Sequence, residues 1–135
     1  MIGIVIVAHG GLAREYLAAM EHVVGKQGGT ATVSIGADDD SGSKQAEVDA
    51  AVASVDDGAG VVVVTDMFGS TPSNLATRAC YQVPNRRVLY GANLPLLVKL
   101  AKARHKPLND AVASALTAGR KYINVASKLL AKEAS

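Results

Sequence analysis

Residues 2–8 read Ile-Gly-Ile-Val-Ile-Val-Ala, an apolar run with no polar alternation. A strand buried on both faces has this pattern, whereas a half-exposed strand alternates. Further strands are predicted at 30–35, 61–65 and 87–90. Between the first two, Leu12, Tyr16, Leu17, Met20, Val23 and Val24 recur with helical spacing, and Gly25 supplies a stop. A second helix is predicted over 43–55 from Val48, Ala51, Val52 and Val55, ended by Asp56-Asp57-Gly58. Thr71-Pro72 is a helix-start pair, and that helix should run to about Gln82 because Pro84 discourages continuation. Leu94-Pro95 opens another. Pro107-Leu108-Asn109-Asp110 opens the last, carrying Leu108, Val112, Ala115 and Leu116 to a stop at Gly119. Strands alternating with helices imply right-handed crossovers and a mainly parallel sheet, hence an α/β fold of the flavodoxin-like three-layer kind with strand order 2-1-3-4. The tail admits two readings: residues 122–125 fit a short strand, while 125–130 also fit a helix.

Composition narrows this picture. A chain of 135 residues is expected to form a single domain, 1–135. Apolar residues make up 49% but aromatics only 4%, so the core must be built from Val, Ile, Leu and Ala. The formal charge is +2, with basic residues spread out and not interleaved with aromatics, which argues against nucleic-acid binding. The one cysteine, Cys80, has no partner for an internal disulfide and reads as a small core residue on its helix. No apolar run reaches the roughly 18 to 20 residues needed to cross a bilayer, and the N-terminus lacks a signal peptide's basic region. A soluble cytoplasmic protein is expected.

The candidate chemistry starts at His9, which ends the first apolar run and precedes Gly10-Gly11. In order 2-1-3-4 the first and third strands are neighbours, and ligands bind at such a switch point, beyond the strands' carboxyl ends. Asp66 ends the third strand much as His9 ends the first, so imidazole and carboxylate can meet. A carboxylate on one ring nitrogen fixes the tautomer and leaves the other nitrogen's lone pair free. Gly69, Ser70 and Thr71 lead into a helix N-terminus, whose unpaired N–H groups favour an anion such as phosphate. Together these describe a phosphoryl-accepting histidine, with Gly10, Phe68 and Asn93 as the pocket rim.

Each part has a structural reading too: a strand-end histidine, an aspartate bonding its own turn, an ordinary loop-to-helix junction. Convergence on two strand ends that the fold brings together favours the chemical one. His22 and His105 have no carboxylate at recognisable spacing and read as solvent-facing. Asp38-Asp39-Asp40 reads as a solvated loop before a helix, so no metal site and no cofactor are expected. A histidine phosphatase is disfavoured, because Ala8 stands where a phosphate-clamping arginine would precede the histidine.

Ala8-His9-Gly10, the segment from Asp66 through Met67-Phe68-Gly69-Ser70-Thr71-Pro72-Ser73-Asn74, and Gly91-Ala92-Asn93-Leu94-Pro95-Leu96-Leu97 together resemble the IIA domain of the mannose-type permease in the bacterial phosphoenolpyruvate-dependent sugar phosphotransferase system. The resemblance covers nearly the whole chain. It implies that His9 accepts a phosphoryl group from the phosphocarrier HPr and passes it to a IIB component, with Asp66 orienting His9 and Thr71 near the phosphoryl group. It also implies a homodimer in which a C-terminal strand, nominated as residues 122–125, crosses to the other subunit's sheet as a fifth, antiparallel strand. Contact with a membrane would be indirect, through a permease. Where sugar-transporting members commonly have tryptophan followed by Gly-Gly-Ser, this chain has Phe68-Gly69-Ser70-Thr71, which keeps an aromatic and a hydroxyl but leaves the sugar open. The chain given ends at Ser135 without a fused IIB domain, so a second expectation is a regulatory IIA protein whose His9 phosphorylation state controls a partner protein.

Overall fold

The computed structural model describes residues 1–128 and 130. Strand β1 (Gly3–His9) leads into helix α1 (Leu12–Val24), β2 (Thr30–Ile35), α2 (Ser41–Ser54), β3 (Val61–Thr65), α3 (Thr71–Cys80) and β4 (Arg86–Leu89). Two helices follow, α4 (Leu94–Lys102) and α5 (Leu108–Lys121). The sheet has the expected order β2-β1-β3-β4, and every pairing in it is parallel.

Alternation along the strands divides the core in two. Ile4, Ile6 and Ala8 of β1, with Val62 and Val64 of β3, pack under Met20, Leu96, Leu97, Leu100, Ala111 and Ala115 of α1, α4 and α5. Val5 and Val7, with Val33, Ile35, Val61 and Val63, pack under Val48 and Val52 of α2 and Leu75, Ala76 and Ala79 of α3. An uninterrupted apolar run in β1 is thus required because both its faces are covered. His9 follows Val5 and Val7 in this alternation, which directs it to the α2–α3 side.

Element ends differ from expectation for identifiable reasons. Helix α2 starts at Ser41 rather than 43, because the Asp40 side chain accepts from the Ser43 backbone N–H and caps it. Helix α3 stops at Cys80, and Gln82 adopts a left-handed backbone (φ 58°) that no helix continues through. Helix α5 does not stop at Gly119 but runs to Lys121. That glycine is a close-approach residue: a Cβ there would lie 3.0 Å from the Leu96 Cβ on α4. Residues 122–125 form no strand in the isolated chain, and residues 126–128 are helical. Cys80 lies in the core as expected, and burial pushes its thiol up to about 11. His22 and His105 are exposed.

At the opposite end of the sheet from His9, Arg104 is only 2% exposed. Its guanidinium donates to the carbonyls of Ile2 (2.7 Å) and Gly29 (2.9 Å) and to the Gln27 side chain (3.2 Å). It thereby ties the loop after α4 to the starts of β1 and β2. Arg104→Met keeps bulk but orphans these acceptors, and should lower unfolding free energy by about 3 kcal/mol in urea titrations. A loss below about 0.5 kcal/mol would show that water replaces the arginine there.

Candidate functional site

The pairing of Val7 with Thr65, and of His9 with Ile35, brings the carboxyl ends of β1, β2 and β3 level. Beyond them Gly10 takes φ +53°, turning the chain toward α1, and its N–H donates to the Ile35 carbonyl (2.9 Å). Asp66 is the first residue past β3. Its Oδ2 accepts from the His9 backbone N–H at 3.0 Å and lies 2.7 Å from His9 Nδ1. A carboxylate is acceptor-only, so Nδ1 carries a proton and donates to it, and in the neutral ring Nε2 then holds the lone pair. Nε2 has no protein partner among the described residues. The His9 side chain is 47% exposed, whereas that of Asp66 is 9% exposed.

Burial by itself would raise the Asp66 pKa. The backbone and ring hydrogen bonds from His9, together with the ring's charge, outweigh burial and hold the carboxyl below its usual range. Asp66 Oδ1 is buried with no partner among the described residues. The carboxylate is therefore committed to His9 through one oxygen.

Thr71, the first residue of α3, shares a cavity of about 340 Å³ with His9. Ser70 is the N-cap residue of α3 but makes no side-chain cap, since its hydroxyl donates to the Met67 carbonyl instead (2.7 Å). Helix α1 likewise has no side-chain cap at Gly11. By contrast α2 is capped by Asp40 and α4 by Asn93, whose Oδ1 accepts from Leu96 N–H (3.0 Å). Helix α5 has no side-chain cap either; of the three starts without one, those of α1 and α3 follow directly on His9 and Asp66, and an anion is favoured at such a start.

Other predicted rim residues have distinct placements. Phe68 is 74% exposed and stands edge-on to Tyr90, ring centroids 5.0 Å apart, while the Tyr90 hydroxyl pairs with Thr77 (2.9 Å). Asn93, besides capping α4, donates to the Gly119 carbonyl (3.2 Å), so its amide braces α5. Gly69 takes φ +83° in the turn before α3. Asp39 and Asp40 of the acidic loop accept backbone N–H groups of Gly36 and Ser43.

The cavity also includes Ile35, Gly36, Ala37, Asp39, Ser41 and Lys44, which were missed in the sequence. The available signal was parity: His9 shares its side of β1 with Val5 and Val7, the side that α2 covers.

The chain is thus a parallel α/β protein with an exposed, carboxylate-held histidine at the switch point of its sheet, beside the N-terminus of α3, which has no side-chain cap. The family described as "PTS system fructose IIA component" matches residues 3–117, and the chain belongs to this mannose-type IIA family, a phosphotransferase-system component. It is 29% identical over 124 residues to the mannose-specific EIIAB component of Escherichia coli K12, covering 90% of this chain but 38% of that protein. The chain therefore spans little more than a third of that relative. Among solved structures, phosphotransferase system component EIIA from Streptococcus agalactiae superposes with TM-score 0.84 at 26% identity, covering 95% of this chain and 99% of that one. The IIA protein associated with the fucose utilization operon of Streptococcus pneumoniae gives 0.82 at 25% identity, covering 95% and 96%. No helix among the described residues is long and apolar enough to cross a membrane.

The Asp66 geometry has a pH signature. Its folded pKa lies below the unfolded value, so the unfolded chain binds more protons there, and the contribution is present above the unfolded pKa near 3.8. It is lost as pH falls through the folded pKa. Asp66→Asn should therefore be less stable than wild type at pH 5 to 7, with the gap narrowing below about pH 4. Urea midpoints across pH check this, and a gap independent of pH would rule the linkage out.

Proposed function

We propose that this chain is a phosphocarrier that accepts a phosphoryl group on His9 Nε2 from the phosphohistidine of HPr. It then passes the group to a IIB component in phosphoenolpyruvate-dependent sugar uptake. The observation that carries this reading is the 2.7 Å contact from His9 Nδ1 to Asp66, which commits the proton to one nitrogen and aims the other outward.

The transfer balances without a metal or cofactor. The Nε2 lone pair forms a bond to phosphorus as the donor's P–N bond breaks. That bond's electron pair returns to the donor ring, which, protonated on its other nitrogen, leaves as neutral imidazole. His9 keeps its Nδ1 proton, and the positive charge its ring acquires faces the Asp66 carboxylate. The N–H groups at the start of α3, with the Thr71 hydroxyl nearby, receive the phosphoryl oxygens. Since the donor is already activated, alignment is the protein's main task.

Incubation with phosphoenolpyruvate, enzyme I and HPr should add one acid-labile phosphoryl group per chain. His9→Ala should abolish labelling, and Asp66→Asn should slow it by about a hundredfold. Labelling that persists unchanged in His9→Ala, or fails in wild type with active upstream proteins, overturns the reading.

The same reading includes a homodimer. Strand β4 is a sheet edge, and Tyr122, Ile123 and Val125 expose large apolar side chains, Ile123 at 76%. An exposed apolar segment and an open sheet edge in one chain support exchange of residues 122–125 between two copies. Sedimentation should give a dimer, and Ile123→Asp should shift it toward monomer. A monomeric wild type at micromolar concentration would exclude the exchange.

A further inference from the structure

The cavity beside His9 has two walls, and only one of them belongs to α3. The other is formed by the end of β2 and the first turn of α2, through Ile35, Asp39, Ser41 and Lys44. Lys44 is the one lysine or arginine among the lining residues. It lies one turn into α2, and helical side chains lean toward the N-terminus, which here is the cavity end.

Charge on this wall is otherwise negative. Asp39 is tethered there by the Gly36 N–H, and Asp66 lies beneath His9. The α2 N-terminus cannot compensate, because Asp40 already occupies it. Lys44 Nζ bonds Glu47 (2.9 Å) on its outer side and stands 3.8 Å from Asp39 on the cavity side. The Glu47 hydrogen bond raises the Lys44 pKa, so the ammonium is fully charged at neutral pH.

We propose that Lys44 is a positioning residue for the phosphoryl group on His9, supplying the counter-charge on the α2 wall opposite the N-terminus of α3. This rests on the phosphocarrier reading above. A phosphoryl group on His9 adds negative charge to a cavity already lined by Asp39, with Asp66 bonded to the His9 ring, and Lys44 is the lining group able to offset it. With three N–H donors on a flexible stem, Lys44 can turn from Glu47 to a phosphoryl oxygen without moving α2. The α3 wall then holds the group through neutral dipoles and the α2 wall through a full charge.

Phosphoramidate supplies a donor independent of HPr: its P–N bond breaks, ammonia leaves, and phosphorus bonds to His9 Nε2. On protein phosphorylated this way, phosphorus NMR follows the phosphoryl group's own second ionisation. The charged groups facing it are Lys44, Asp39, Asp66 and the His9 ring. Lys44→Met should raise that ionisation by about one pH unit, equivalent to about a tenfold weaker hold on the dianion. It should also shift the exchange equilibrium with HPr about tenfold toward HPr, while Lys44→Arg restores both. Thermal unfolding of Lys44→Met should match wild type. An ionisation and an exchange equilibrium identical in wild type and Lys44→Met overturn the proposal. Failure of HPr, but not phosphoramidate, to label His9 overturns the carrier reading alone.

Discussion

One oxygen of Asp66 accepts from both the backbone and the ring of His9, and the rest of the site depends on that shared acceptor. The backbone bond pins where β1 ends relative to β3, while the ring bond orients the imidazole, so strand register and ring orientation are set by the same atom. Neither bond would exist without β1 lying between β2 and β3. A one-residue slip in the β1–β3 pairing would reverse which face each β1 side chain meets and would carry His9 away from α2 and α3. The buried valines and isoleucines on both faces resist such a slip, which is how an apolar core with few aromatics delivers precision at its rim.

Side-chain capping differs among the helices. Helices α2 and α4 begin with Asp40 and Asn93, residues that satisfy their own N–H groups, and both starts are structurally complete. Helices α1, α3 and α5 begin at Gly11, Ser70 and Pro107 without side-chain caps, and the first two follow directly on His9 and Asp66. An uncapped start costs of order 1 kcal/mol in stability, and it leaves donors aimed where charge arrives. Ser70 is informative because serine is a good cap, yet its hydroxyl is spent on the Met67 carbonyl. Local stability has been forgone at the place where a phosphoryl group would recover it.

The fold was legible because its signals are redundant. Four strand segments, helical spacing between them and glycine or proline punctuation all indicated the same parallel sheet. Helix ends were less legible, because they depend on single contacts: Asp40 reaching Ser43, or Gly119 admitting Leu96. Gly119 shows the limit plainly, since glycine signals a helix stop locally but is equally required where two helices touch. Of the site, His9, Asp66 and Thr71 could be read because each sits at an element boundary that topology brings together. Asn93 looked like a rim residue on the same logic, yet its amide is engaged by α4 and α5. Lys44 could not be read from a boundary, since it lies inside α2 and its relevance follows only from the parity of His9 on β1.

Exposure of His9 over a buried Asp66 also bears on reversibility. In the proposed carrier role His9 must release what it accepts, so the phosphorylated state cannot be held much more tightly than that of its partners. Full burial of the phosphoryl group between fixed cations would stabilise it strongly and slow its departure. Here the imidazole is half exposed, the α3 wall offers uncharged N–H groups, and the one lining cation is shared with carboxylates at 2.9 and 3.8 Å. Each new contact to phosphate is therefore offset by one surrendered to Glu47 or Asp39. Such exchange keeps the net preference small while preserving in-line access to Nε2, which is the energetic requirement for passing a group onward instead of storing it.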